Sequence, residues 1–131
     1  DTTGNIAQMA ETVRLAGPDF QVLAGSASYF LPGLSVGAAG GILALANIAP
    51  DRCLELFRLF QEGRWQEAAE LQRWMLPINH AVTTGFGIAG LKAAMDMMGH
   101  YGGPVRLPLL DIKEEERQTL KKVLTQGGIL S

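Results

Sequence analysis

Apolar residues alternate between helical spacing and short continuous runs along the first half of the chain. They recur every three or four positions between Ile6 and Val13, which predicts an amphipathic helix capped by Thr3 or Asn5. Two continuous runs follow, FQVLAG at 20–25 and GGILAL at 40–45. Continuous runs are typical of strands buried on both faces of a parallel sheet. The pattern therefore predicts two parallel strands, each flanked by helices.

The second half of the chain has helical spacing only. Helices are predicted there at residues 65–76, 88–98 and 113–124, with an extended link at 105–110, and two more are predicted in the first half at residues 32–36 and 50–62. We expect Pro77 to end the fourth helix of the chain and Leu54 to face the core from the third. The chain thus divides into an α/β segment, residues 1–62, and an all-helical segment, residues 63–131.

Two strands cannot form a stable sheet by themselves, because their edges present unpaired backbone groups. We therefore expect the first 62 residues to be the closing segment of a larger parallel sheet, which begins in mid-fold at the loop Asp1-Thr2-Thr3-Gly4. The alternative is a small α/β domain with strands that the pattern does not reveal.

Composition narrows the function classes. The 131 residues are 47% hydrophobic and carry a net charge of −2, which gives no basis for nucleic-acid or anionic-membrane partners. The longest apolar stretch is broken by glycine and is shorter than a membrane span requires. Cys53 is the single cysteine, and its apolar surroundings predict a buried thiol rather than a nucleophile. A cytoplasmic protein is expected, or one from the mitochondrial matrix.

No His, Cys or carboxylate group has metal-ligand spacing, so we expect neither a metal nor another cofactor. His80 and His100 lie in the helical segment and are not expected to be catalytic.

Several motifs, in order and spacing, resemble one family. They are FQVLAGSA, GAAGGILALANIAP, EGRWQEAAELQ and FGIAGLKAAMDMMGHYGGPVRLPL. Together they resemble the C-terminal part of the N-acetylneuraminate lyase and dihydrodipicolinate synthase superfamily. The run AVTTGFGIAGLKAAMDMMGHYGGP is most similar to its 4-hydroxy-2-oxoglutarate aldolase branch.

The resemblance implies a (β/α)8 TIM barrel with helices appended at its C-terminus. A whole barrel needs about 250 residues, so this chain would supply the C-terminal portion of one, with FQVLAG as strand 7 and GGILAL as strand 8. The N-terminal half of the same barrel is then an implied partner. The resemblance also implies a homo-oligomer, commonly a tetramer.

The resemblance also implies a catalytic residue that this chain lacks. In the family a Schiff-base lysine stands within a Lys-Asp-(Ser/Thr)-(Ser/Thr/Gly)-Gly pattern, and Asp1 to Gly4 match that pattern after its lysine. We expect the lysine immediately before Asp1 in the whole protein, where a covalent adduct could make it a non-standard residue. The alternative is a true fragment without the lysine, a noncatalytic half-barrel that serves as an interaction module.

Four residues are candidates for substrate binding, and each also has a structural explanation. Thr2 is expected to present a hydroxyl beside the imine, although it or Thr3 could simply cap the helix. Gly25 would let the backbone approach the ligand, or only permit the turn. Ile42 would pack over the pyruvate moiety, or only fill the barrel interior. Ser26 stands where many dihydrodipicolinate synthases carry an acidic or amide residue.

The expected activity is that of a class I aldolase on a 2-oxo acid. Because Ser26 and Ala27 are not acidic, they would repel a second substrate carboxylate less, which favours cleavage of 4-hydroxy-2-oxoglutarate to pyruvate and glyoxylate. The alternatives are a dihydrodipicolinate synthase and a sugar-acid (2-keto-3-deoxy) aldolase or dehydratase.

Overall fold

The computed structural model describes residues 1–131 as two short strands and six α-helices. The strands are β1 (Leu23–Ala24) and β2 (Gly40–Gly41). The helices are α1 (Ile6–Ala16), α2 (Phe30–Ser35), α3 (Pro50–Gln61), α4 (Trp65–His80), α5 (Gly87–Met97) and α6 (Glu114–Gln126). None of these helices combines the length and the hydropathy that crossing a membrane would require.

The two strands pair in parallel, as their continuous apolar runs predict. Leu23 pairs with Gly40 and Ala24 with Gly41, and helix α2 makes the crossover between them. Both strands are shorter than predicted. The strand prediction for the second run is wrong beyond Gly41: Ile42 and Leu43 follow the strand, and residues Ala44–Asn47 form a 3₁₀ turn that buries Leu45 completely.

Helix α4 runs through Pro77, which corrects the prediction that proline ends it. Proline removes one N–H donor from a helix interior. Met75 and Ile78, on either side of Pro77, are nevertheless buried in the core and keep both halves in place. The helix ends three residues later at His80, where a π-helical turn over Ala81–Gly85 leads into α5.

Helix α3 buries the predicted face except at Leu54. Cys53, Leu56 and Leu59 face the core, whereas Leu54 is 67% exposed. A helix turns by about 100° per residue, so residues three apart share its inner face and Leu54 falls outside it.

A single hydrophobic core joins the α/β segment to the helical one. It contains Met9 from α1, Leu56 from α3, Met75 from α4 and Leu124 from α6, all completely buried. Burial of side chains from four helices in one cluster holds the helical segment firmly against the loops that follow β1 and β2.

Candidate functional site

Asp1 lies beside β1 in the register of a further parallel strand. Its nitrogen donates a hydrogen bond to the Leu23 carbonyl oxygen at 2.6 Å. The Gly25 N–H donates in turn to the Asp1 carbonyl oxygen at 2.8 Å. Two bonds that flank one residue in this way are the repeating unit of a parallel ladder. The order across the sheet is therefore Asp1, β1 and β2, with the carboxyl ends of β1 and β2 at the same edge.

In the loop from Asp1 to Asn5, the side chain of Thr3 is hydrogen-bonded within the loop and that of Thr2 is not. The Asp1 carboxylate accepts hydrogen bonds from the Thr3 N–H at 2.8 Å and the Thr3 hydroxyl at 2.7 Å. Asn5 caps α1 by accepting from the Gln8 N–H at 3.0 Å, so Asn5 rather than Thr3 is the N-cap. None of these side-chain bonds involves Thr2, whose hydroxyl is left free.

Thr2, Gly25 and Ile42 line one open cavity of about 610 Å³. Thr2 enters it from the loop before α1, while Gly25 and Ile42 each follow the end of a strand. Ile42 is 72% exposed and Phe20, on the same wall, is 65% exposed. The cavity therefore offers one free hydroxyl and an apolar wall.

Gly25 permits a backbone approach that no other residue would allow. A Cβ atom at this position would lie 2.6 Å from Thr2 Cγ2 and 2.8 Å from the Asp1 carbonyl oxygen. The hydrogen bond between Gly25 and Asp1 depends on this close approach. Gly25 is thus required to bring Thr2 to the cavity, whether or not a ligand also touches it.

Ser26 does not line the cavity, unlike the other three predicted residues. Its hydroxyl oxygen accepts from the Ser28 N–H at 3.3 Å and lies 3.2 Å from Asn79 Nδ2, which donates to it. The same amide donates to the Ser28 hydroxyl at 2.8 Å. In this structure Ser26 caps the turn at the start of the β1–α2 loop, a name used here for residues 26–31, which are the connection and the first two residues of α2.

Two buried amides of α4 hold the β1–α2 loop, and sequence reasoning missed both. Gln72 Nε2 donates to the Ala27 carbonyl oxygen at 2.7 Å, and Gln72 Oε1 accepts from the Leu31 N–H at 2.9 Å. Asn79 is completely buried, and its Oδ1 has no hydrogen-bond partner. A signal was available for Gln72, which interrupts the apolar spacing of the helix predicted at residues 65–76, whereas Asn79 lies beyond the predicted end of that helix.

Titratable groups add no reactive centre beside the cavity. Cys53 is 6% exposed, and burial raises the pKa of its thiol to about 11. It therefore carries its proton at neutral pH, as expected of a buried thiol. No three side chains of His, Cys, Asp or Glu lie close enough to hold a metal ion.

These features define a class: α/β proteins with a ligand-sized cavity at the carboxyl ends of parallel strands. The chain belongs to the dihydrodipicolinate synthetase family, whose profile matches residues 1–127. The superfamily resemblance carried by the sequence motifs is thereby confirmed.

Relatives and solved structures agree with this assignment. The chain is 40% identical over 129 residues to a 4-hydroxy-tetrahydrodipicolinate synthase of Caldicellulosiruptor saccharolyticus, covering 98% of this chain and 43% of that one. It is similar to the dihydrodipicolinate synthase structure from Thermotoga maritima, with a TM-score of 0.88 and 30% identity; the match covers 99% of this chain and 45% of that one. It is also similar to the dihydrodipicolinate synthase structure from Bacillus anthracis, with a TM-score of 0.90 and 30% identity, and that match covers 95% of this chain and 43% of the other. The chain thus spans less than half the length of these proteins.

Proposed function

We propose that the whole protein is a class I lyase that makes or breaks a carbon–carbon bond at pyruvate. In this proposal residues 1–62 close a TIM barrel as its strands 7 and 8, and residues 63–131 are the appended helices. The hydrogen bonds of Asp1 carry the proposal, because they put the residue before Asp1 at the end of a strand next to β1. Family membership supports it, as does the match to part of longer solved structures.

A lysine before Asp1 would form the imine. Its neutral amine attacks the ketone carbon of pyruvate, a C–N bond forms, and the carbonyl oxygen leaves as water. The apolar wall beside Ile42 would disfavour the charged amine and lower the pKa of the lysine toward neutrality. In synthesis the pyruvate imine would lose a proton from its methyl carbon, and the resulting enamine would form the new bond to the aldehyde carbon of the acceptor. In cleavage the imine would form on the longer 2-oxo acid, accept the electron pair of the carbon–carbon bond that breaks, and release the aldehyde.

Thr2, Gly25 and Ile42 have distinct roles in this scheme. The free hydroxyl of Thr2 would hydrogen-bond the carboxylate or the imine of bound pyruvate, and Ile42 would pack over the pyruvate moiety. Gly25 would set the distance between them, since its missing Cβ lets the Asp1–Thr2 segment approach β1.

Two acceptors remain candidates, and each is favoured by one observation. The name of the Caldicellulosiruptor relative favours the synthase reaction, in which pyruvate joins aspartate semialdehyde, over the aldolase activity expected from the motifs. Ser26 and Ala27 favour glyoxylate, the product of 4-hydroxy-2-oxoglutarate cleavage, because neither residue is a carboxylate that would repel a dicarboxylic substrate. The position of Ser26 outside the cavity weakens the second argument, so the synthase reaction is the first candidate.

Borohydride reduction in the presence of pyruvate tests the chemistry. We expect the whole protein to gain one pyruvyl mass, located by peptide mapping on the lysine before Asp1. The same protein with that lysine changed to methionine is the control and should gain nothing. Absence of an adduct on the unmodified protein would leave the noncatalytic half-barrel as the explanation.

A comparison of acceptors tests the substrate. The rate of pyruvate consumption should be higher with aspartate semialdehyde than with glyoxylate if the protein is a synthase, and the order should reverse if it is the aldolase. Comparable low rates with both would favour a sugar-acid substrate.

A homo-oligomer remains an expectation from the resemblance. Large apolar side chains between α5 and α6 support it, since Leu107 is 85% exposed and Leu110 is 78% exposed. Sedimentation of the whole protein would give the number of subunits, for which four is expected.

A further inference from the structure

Tyr29 connects the β1–α2 loop to the segment that begins at Asp1. Its hydroxyl donates a hydrogen bond to the Asp1 carbonyl oxygen at 3.1 Å, across 28 positions of sequence. Its ring packs against Gly4, where a Cβ atom would lie 3.3 Å from the Tyr29 Cε1 atom. The side chain is half-buried and does not line the cavity. Tyr29 therefore contacts both ends of the Asp1–Gly4 loop without reaching the place of a ligand.

The Asp1 carbonyl oxygen is the meeting point of two donors. The Gly25 N–H reaches it at 2.8 Å along the sheet, and the Tyr29 hydroxyl reaches it from the β1–α2 loop. A carbonyl oxygen has two lone pairs, so these two donors use both of them. Because the two donors approach from different elements, together they restrain the orientation of the Asp1–Thr2 peptide more tightly than either bond alone.

The loop that carries Tyr29 is itself anchored on both sides. Gln72 bonds the backbone of Ala27, two residues before the tyrosine, and of Leu31, two residues after it. Gln72 is 8% exposed, so these bonds are shielded from water. Tyr29 is thus held by a rigid support, and its hydroxyl position follows from the packing of α4 against the loop.

We infer that Tyr29 is a positioning residue, whose hydroxyl fixes the Asp1–Thr2 peptide and so orients both the Thr2 hydroxyl and the residue that precedes Asp1. The inference rests on the proposed function, which places the imine-forming lysine at that preceding position. A misplacement of about 1 Å in a reacting group costs about 100-fold in rate. Loss of one of two fixing bonds should allow part of that displacement.

The test is Tyr29→Phe in the whole protein, which keeps the ring over Gly4 and removes only the hydroxyl. We expect kcat and the single-turnover rate of borohydride-trapped imine formation to fall about tenfold together, while KM for pyruvate changes by less than about twofold. Tyr101→Phe is the matched control, since Tyr101 is 85% exposed, and it should leave both rates unchanged.

Hydrogen exchange supplies a readout that does not depend on turnover. Amides in residues 1–5 should exchange faster in Tyr29→Phe, with no change in α3 or α6, where a general loss of stability would also show. Unchanged trapping rate and unchanged exchange in residues 1–5 would overturn the inference while leaving the proposed function in place. Failure of the unmodified protein to be trapped would instead overturn the proposed function, and this inference with it.

Discussion

Substitution of Gly25 by alanine separates the geometry of the site from the stability of the fold. The added methyl would lie 2.6 Å from Thr2 Cγ2, 2.8 Å from the Asp1 carbonyl oxygen and 3.2 Å from Thr2 Cα. Carbon atoms rest at separations of about 3.5–4.0 Å, so Thr2 Cγ2 is too close by about 1 Å. Rotation of the Thr2 side chain relieves only that contact. The other two involve backbone, so the Asp1–Thr2 segment must move away from β1.

The displacement has a larger effect on activity than on stability. It lengthens the Gly25–Asp1 hydrogen bond from 2.8 Å and draws the Asp1 carbonyl oxygen away from Tyr29. Overpacking of this kind costs about 1–3 kcal/mol of unfolding free energy. A shift of about 1 Å in Thr2 and its neighbour is expected to lower kcat/KM about 100-fold. The variant should therefore fold, melt a few degrees lower, and be nearly inactive.

Steady-state rates with pyruvate and the preferred acceptor, together with a thermal melt, measure both effects in the whole protein. Gly40→Ala is the matched control, because it makes the same change in the adjacent strand. Its Cβ would meet only Leu23 Cδ2, at an ordinary 3.6 Å. We expect that control to keep its activity. Activity of Gly25→Ala within about threefold of the unmodified protein would refute the argument that this close approach sets the site geometry.

Three further substitutions or treatments test other contacts. Gln72→Ala leaves two backbone groups of the β1–α2 loop without partners and should lower the unfolding free energy by about 1–3 kcal/mol, measured by urea denaturation, whereas Gln66→Ala on the exposed face of α4 should change it little. Ser26→Asp should mainly reduce turnover of the dicarboxylic substrate, and kinetics equal to those of the unmodified protein would exclude a role for Ser26 in acceptor choice. Cys53 should resist iodoacetamide at pH 8 until denaturant exposes it, because burial raises the pKa of its thiol from an ordinary 9.0 to about 11. Since the unfolded chain loses that proton first, stability should decline as pH rises from about 9 through 11.

Local pattern predicted the kinds of elements better than their extents. Helix α1 begins at Ile6 with Asn5 as its N-cap, as the apolar spacing predicts, because periodicity and capping are properties of nearby residues. Strand length depends instead on neighbours that lie far away in the chain. The run at 40–45 is apolar throughout, yet only Gly40 and Gly41 pair with β1. Local preference would favour the opposite, since glycine weakens a strand, yet Leu45 turns into the core.

The candidate site was predictable to the extent that it follows from topology. Thr2, Gly25 and Ile42 could be expected to converge, because the carboxyl ends of parallel strands meet at one edge of a sheet. The structural role of Ser26, whose hydroxyl accepts a hydrogen bond from Asn79, could not be predicted in the same way. Its partner Asn79 is 53 positions away, and only the packing of α4 against the β1–α2 loop brings the two together.

That packing gives the helical segment a function in the site. Gln72 and Asn79 are seven positions apart, so two helical turns place both amides on the same face of α4, toward the β1–α2 loop. Burial of two amides is costly, and Asn79 Oδ1 gains no hydrogen bond in return. Apolar residues in the same stripe would leave the Ala27 carbonyl and the Leu31 N–H without partners, so they could not hold the backbone there. The amides therefore fix the loop. Through Tyr29 the fixed loop sets the position of Asp1, and so helix α4, remote in sequence, determines the geometry at the cavity.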